Sequence, residues 1–416
     1  MDCRCHIGGI AANRRHVEIC REKTAGQVAQ SRRHCVALVF LSALFLISGC
    51  AGQQEASKGK EPILEGRSRI AVFPVENLTG RVAPLGPIRA LLIETLKRHG
   101  VSVLDDETLD RVVTNNRVRY IAGVERGIAK ALQEETGVEA ILIPSLELFD
   151  EVNPPKIAMF CRLVSTGDNP AVLWIDGVGM AGDDSPGILG LGLIDDPQVL
   201  LSKAVESLAR SLVWSGTETG QGPTGGWMAR KFRPKIVYRS VLDPEKKYSI
   251  AVVPFFNKTG RKFAGEIIAL HMMTSLMAFQ NFEIVEPGIV RQELLRFRII
   301  MSDGVSLPQT ETILNAVNAD LVLNGEVLEY RDYQGPAGNS AVDFSVLFIE
   351  RRRRKVVYSS YSQNMGDDRV VLFDWGRVNT AHAMASQMAW AIGQRMLMGP
   401  EATQAPKATK ANAIPQ

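Results

Sequence analysis

The sequence predicts an α/β protein with two tandem duplicated domains, each a mixed β-sheet packed by helices with a C-terminal β-meander. The first observation is a repeat: residues 70–81 (IAVFPVENLTGR) return as residues 250–261 (IAVVPFFNKTGR), with eight of twelve positions identical. The second is that the same order of strand-like and helical patterns follows both segments. A spacing of 180 residues exceeds the roughly 20–50 residues of a solenoid unit, so it indicates a doubled domain.

Each copy predicts the same elements in the same order. A β-branched strand ends at a proline and an Asn-x-Thr-Gly turn, an amphipathic helix and a short strand follow, and two more helices precede a meander and a closing helix. Given for copy one and then copy two, the first strand is 69–75 and 249–255, the amphipathic helix is 85–99 and 263–279, and the short strand is 101–104 and 282–285. The second of the two further helices is 126–136 and 309–318. The strands of the meander are 140–148 and 320–330, 157–164 and 342–349, and 171–178 and 355–362, and the closing helix is 197–213 and 377–398. The continuous apolar runs 70–75 and 250–255 predict interior strands.

The segment 36–50 predicts an export signal. Basic residues at 32–34 precede an apolar run at 36–47, which is too short to span a hydrocarbon core of ~30 Å as a permanent helix. Its ending, Ile47-Ser48-Gly49-Cys50, resembles the bacterial lipoprotein signal, in which the cysteine is lipidated and becomes the new N-terminus. Because Ala51 rather than Asp follows Cys50, the resemblance implies the outer membrane, with the protein facing the periplasm.

Removal of such a leader changes the cysteine and charge content. Four of the six cysteines precede Cys50, so Cys161 is the one other cysteine kept, and its apolar context predicts a buried thiol in a strand. The leader carries seven Lys and Arg against three Asp and Glu, so the net charge of +3 falls to about −1. No excess of positive charge then points to nucleic acid.

The pattern IAV-x-P-x-x-N-x-TG, followed by a helix, a short strand, an acidic turn and a later apolar strand, resembles the fold of CsgG-type curli secretion lipoproteins. Related patterns occur in the N-terminal domain of TolB-type proteins and in LpoB-type activators of penicillin-binding proteins. The resemblance covers most of both copies and implies proteins that act by binding and assembly. It implies no catalytic residue.

Catalytic and metal motifs give no support for an enzyme. The chain contains no GxxxxGK[ST], GxSxG or HExxH sequence. After the leader the histidines are His99, His271 and His382, each in a helical pattern and far from the others in sequence. We therefore expect no catalytic residue, no cofactor and no metal.

Two groups of arginines are candidate partner-binding residues. Arg81 and Arg261 follow the repeated Thr-Gly turn at the carboxyl end of a strand, where ligands of open α/β sheets commonly bind. A guanidinium there suits a carboxylate or phosphate on a partner, although turn chemistry alone explains the neighbouring Asn, Thr and Gly. The second group, Arg351, Arg352, Arg353 and Arg354, lies between two predicted strands, where it is either a solvated hairpin turn or an anion-binding patch.

These observations predict the following organisation: leader and signal 1–49, lipidated Cys50 with a flexible tether 50–66, first repeat domain 67–214, linker 215–247, second repeat domain 248–399 and disordered tail 400–416. The predicted function is that of a non-enzymatic, lipid-anchored envelope protein that binds other envelope proteins in secretion or envelope biogenesis. The alternatives are a CsgG-like oligomeric export component and a hydrolase with an unrecognised site. The expected partners are the membrane, through lipid on Cys50, and envelope proteins, with homo-oligomerisation left open.

Overall fold

The computed structural model describes residues 69–118, 121–184, 192–214, 231–243, 245–299, 307–333, 335, 338–370 and 376–397. Two mixed β-sheets packed by helices confirm the predicted α/β class. Within those ranges, no helix has both the length and the apolar character needed to cross a membrane. Cys50, the leader, the tether and the tail lie outside the described residues.

Both copies contain the same succession of elements. Copy one comprises β1 (Arg69–Val72), β2 (Glu76–Asn77), α1 (Leu85–Arg98), β3 (Ser102–Val103), α2 (Asp106–Asn115), α3 (Arg126–Thr136), β4 (Ala140–Asp150), β5 (Lys156–Ser165), β6 (Val172–Ala181) and α4 (Pro197–Trp214). After β7 (Lys235–Arg239), copy two comprises β8 (Tyr248–Val252), β9 (Phe256–Asn257), α5 (Ala264–Met277), β10 (Phe282–Ile284), α6 (Pro287–Arg296), α7 (Leu307–Ala316), β11 (Leu321–Arg331), β12 (Ala341–Glu350), β13 (Lys355–Met365) and α8 (Ala381–Leu397).

Strands β1 and β8 hold the same interior position in the two sheets. The strand orders are β3-β1-β4-β5-β6 and β10-β8-β11-β12-β13-β7, with β2 beside β4 and β9 beside β11. Ile70 lies opposite Val103 and Ala140 in parallel pairs, and Ile250 lies opposite Ile284 and Leu321. The prediction of interior strands in equivalent places is therefore confirmed. Because Ile70 and Ile250 are equivalent, their partners Ala140 and Leu321 correspond to each other as well.

Two details of the sheets differ from the sequence prediction. Strand β1 ends at Val72 rather than at residue 75, because Pro74 lacks the N–H that a ladder requires, and β2 resumes the pairing beside β4. The predicted linker contains strand β7, which pairs antiparallel with β13 and forms the edge of the second sheet. Its sequence, KIVYR, is short, and its partner lies more than 100 residues later, so no local pattern indicates the pairing.

Helices α5 and α8 lie between the two sheets. Eleven of the fourteen residues of α5 are buried, against four in the equivalent helix α1. A single apolar core contains the inner face of the second sheet, both helices, and Phe160, Val172 and Ile175 of the first sheet. The two copies therefore share a core, and polar side chains at their junction are buried in it.

Candidate functional site

The junction contains a buried carboxylate, Glu147, at a β-bulge. Regular pairing of β4 with β5 shifts between Leu146 and Leu148, which leaves Glu147 as the extra residue. Strand β11 has a bulge at the equivalent point, where the extra residue is Leu328. Leu328 is 41% exposed, whereas Glu147 is completely buried. The same backbone irregularity thus directs a carboxylate into the junction in copy one only.

Two histidines of copy two meet this carboxylate. His382 Nδ1 lies 2.5 Å from Glu147 Oε2, and His271 Nε2 lies 3.9 Å from the same oxygen. The hydroxyl group of Tyr330 donates a hydrogen bond to Glu147 Oε1. The three ligand atoms of Glu147, His271 and His382 all lie within 4.8 Å of one another, and each of these residues is buried. We call Glu147, His271 and His382 the junction cluster.

Aromatic and glycine residues of the first sheet shape the space around the imidazoles. The ring of Phe160 packs against His271 and His382 with centroid distances of 4.8 and 4.7 Å. A Cβ atom at Gly179 would lie 2.6 Å from His382 Cδ2, and one at Gly177 would lie 3.0 Å from His382 Cε1. Strand β6 therefore needs glycine at 179 to admit the His382 ring and at 177 to admit the Phe160 ring, whose Cδ1 atom would lie 2.6 Å from a Cβ there.

The protonation of the cluster follows from its burial and its contacts. Burial alone would raise the pKa of Glu147, but the charge and hydrogen bond of His382, with the hydrogen bond of Tyr330, lower that pKa to about 2. Burial, assisted by the neighbouring His382, lowers the pKa of His271 well below its ordinary value. His271 is therefore neutral, and in the part of the chain that the structure describes its Nε2 atom has no hydrogen-bond partner.

A second polar contact across the junction is a buried ion pair. Arg162 Nε of β5 lies 3.2 Å from Glu286 Oε2, with both side chains almost completely buried. Glu286 is the N-cap of α6, and its Oε1 atom accepts hydrogen bonds from the backbone N–H groups of Gly288 and Val124. The pair therefore fixes the start of α6 against the first sheet.

Arg261 has contacts within the chain. Its Nη1 atom donates to the carbonyl oxygens of Leu78 and Thr79 at 3.0 and 2.7 Å, and its Nη2 atom donates to the carbonyl of Glu147 at 2.7 Å. All three acceptors belong to copy one. The guanidinium thus joins the turn of copy two to the turn and the bulge of copy one. The predicted binding of a partner by Arg261 stays untested.

The other predicted arginines are dispersed over the surface. Arg81 is exposed, and its guanidinium has no hydrogen bond or ion pair with any described residue. The cluster at 351–354 forms the predicted turn between β12 and β13. Arg351 donates to Asn318, Arg353 lies near Glu350, and Arg354 pairs with Glu311, with Arg352 exposed beside them. Internal partners thus satisfy three of these four side chains.

Sequence reasoning missed the junction cluster because its members are remote in sequence. Glu147 and His382 are 235 positions apart, and His99, the third histidine considered, lies elsewhere, bonded to Glu206 at 2.8 Å. Two local signals were present in the sequence. Glu147 interrupts an apolar strand, and His271 stands in a helix that is apolar on all sides. Cys161 is buried in β5, as predicted.

No protein-family model matches the chain, and no curated protein matches it. Among solved structures, the PelC dodecamer from Paraburkholderia phytofirmans is similar with 19% identity and a TM-score of 0.26, over 38% of this chain and 96% of that one. Lipoprotein GNA1162 from Neisseria meningitidis has 22% identity and a TM-score of 0.26, over 35% and 99%. The LpoB C-terminal domain from Salmonella enterica has 15% identity and a TM-score of 0.23, over 31% and 87%. One of these three structures is named a lipoprotein, and the resemblance to CsgG-type and TolB-type proteins stays untested.

Proposed function

We propose that this chain is a lipid-anchored protein of the bacterial envelope that binds other envelope proteins, without catalysis, as an assembly factor in secretion or envelope biogenesis. The observation that carries the binding role is edge strand β7. Among the described residues it pairs only with β13, and Ile236, Val237 and Tyr238 are 37%, 71% and 51% exposed. An exposed apolar edge strand is a template for an extended segment of another protein.

The anchor in this proposal rests on the signal-like segment that ends at Cys50. One acyl chain binds a membrane only marginally, whereas two or more give stable attachment. Cys50→Ser should therefore abolish incorporation of labelled palmitate and move the protein out of the outer-membrane fraction. Palmitate that still enters this variant would show that the cysteine is not the lipidation site.

The binding role is tested at Val237. Its side chain points largely into solvent, so Val237→Lys should fold normally while placing a charge where a partner strand would lie. Crosslinking in the native envelope should then lose the products that the unchanged chain gives. Leu295→Lys is the matched control, because Leu295 is also exposed, at 58%, but lies on α6. Equal crosslinking by both variants would refute binding at β7.

Absence of catalysis is also part of the proposal. The acid–base groups that the fold brings together, Glu147, His271 and His382, are 0–2% exposed. A substrate therefore cannot reach them in the folded chain, and this burial argues against hydrolysis at this place.

A further inference from the structure

We infer that Glu147, His271 and His382 form a binding site for one divalent transition-metal ion, with zinc as the best match, and that this ion links the two copies. The inference does not depend on the partner-binding role. Its basis is the donor set, the geometry, an unpartnered imidazole nitrogen and the groups that hold the ligands.

The donor set matches zinc. Two imidazole nitrogens and one carboxylate oxygen are an established combination of zinc ligands, whereas calcium and magnesium prefer oxygen alone. The carboxylate comes from β4 of copy one, and both imidazoles come from α5 and α8 of copy two. A bound ion would therefore join β4 of copy one to α5 and α8 of copy two, which are far apart in the sequence.

The geometry needs only small shifts of the three ligand atoms. In tetrahedral zinc, ligand atoms about 2.0–2.1 Å from the ion lie roughly 3.3 Å from one another. Here Glu147 Oε2 lies 3.9 Å from His271 Nε2 and 2.5 Å from His382 Nδ1, so the first pair has to close and the second to open, and every pair of ligand atoms lies within 4.8 Å. Side-chain rotations of this size suffice to close the site. The proton between His382 Nδ1 and Glu147 Oε2 has to leave when both atoms bind one ion.

The unpartnered nitrogen points to an additional ligand. Nε2 of His271 is buried in the shared core and has no hydrogen-bond partner among the described residues, although it lies close to the carboxylate. A buried polar atom without a partner destabilises the folded chain. Coordination of its lone pair to a metal ion removes this cost.

The surrounding groups act as a second layer around the proposed ligands. Tyr330 donates to Glu147 Oε1, which leaves Oε2 for the ion, and Arg261 holds the bulge through the Glu147 carbonyl. Phe160 packs against both imidazole rings. Such outer contacts orient metal ligands and tune their affinity. Since the site is closed to solvent, the ion would stabilise the junction rather than activate a substrate.

The test uses the full chain, produced with its signal in zinc-supplemented cells and extracted in detergent. Mass spectrometry of metals should find about one zinc per chain. Glu147→Gln, His271→Asn and His382→Gln should each reduce this at least tenfold, whereas His99→Gln, the control outside the cluster, should keep it. Zinc that persists in all three cluster variants, or is absent from the unchanged chain, would overturn the site.

The unchanged chain provides a second measurement that does not depend on whether the variants fold. After unfolding with a chelator, refolding with Co²⁺ should give a visible absorption band stronger than that of aqueous Co²⁺, and refolding with Zn²⁺ should raise the Tm by roughly 5 °C or more. No visible band and an unchanged Tm would leave the cluster as a proton-bonded network, and the inference would be wrong.

Discussion

Replacement of Arg261 by alanine tests the idea that the two copies are held together by directional contacts as well as by the shared core. The repeat provides its own control, because Arg81 occupies the same position of the same turn in copy one. Both turns have the same internal hydrogen bonds, from the Asn side chain to the Arg carbonyl at 2.7 Å in each copy. The two variants therefore differ mainly in what the guanidinium contacts.

The expected magnitude follows from the three bonds that Arg261 makes to copy one, at 2.7–3.0 Å. Hydrogen bonds from a charged group contribute about 1.5–3 kcal/mol each. Arg261 is half-buried, so water replaces part of this at the freed carbonyls. We therefore expect Arg261→Ala to lower the free energy of unfolding by about 2–4 kcal/mol, and Arg81→Ala to change it by less than about 0.5 kcal/mol.

Urea unfolding followed by circular dichroism measures both values. A drop in the urea midpoint for Arg261→Ala, with an unchanged slope, would show a loss of stability without a change in the surface exposed on unfolding. Equal midpoints for the two variants would refute the reasoning. It would then follow that the Arg261 contacts are replaced by water at no net cost.

Three further predictions concern buried positions. Gly179→Ala should destabilise the fold by about 1–3 kcal/mol because its Cβ would overlap the His382 ring. The control Gly86→Ala, which has open space around it in α1, should be neutral or stabilising by up to about 1 kcal/mol. Similar urea midpoints for the two variants would contradict this prediction. Glu286→Ala should cost about 3–5 kcal/mol, since it leaves a buried guanidinium unpaired, and a calorimetric Tm within about 2 °C of the unchanged chain would count against it. Burial raises the pKa of the Cys161 thiol, so a thiol reagent at about pH 8 should label Cys161 only in denaturant. Rapid labelling of the native chain would show the strand to be open.

The sequence was sufficient for the elements and for their order, but it was not sufficient for the junction. Periodicity located the helices within a few residues, because helices such as α1 and α3 bury one face and the boundaries carry turn residues, as Gly137 does after α3. The apolar runs around Ile70 and Ile250 predicted interior strands, because burial on both faces requires apolar side chains at every position. By contrast, β7 and the junction cluster depend on long-range pairing, which a local pattern cannot specify.

The contrast between α5 and α1 shows what a fuller interpretation could have used. Helix α5 is apolar around its whole circumference, which indicates burial on two sides rather than one. The two copies of a duplicated domain would be expected to have similar helices if each stood alone. Their difference was therefore a signal in the sequence that copy two packs its helix against copy one.

The glycines of β6 also decide how far this arrangement can extend. Strand register places Tyr361 and Gln363 of β13 where copy one has Gly177 and Gly179. Side chains at these positions obstruct the face on which a further pair of helices would dock. A head-to-tail contact that could be repeated without limit would produce filaments. Here the second sheet lacks the two glycines, so head-to-tail extension of this contact beyond copy two is blocked.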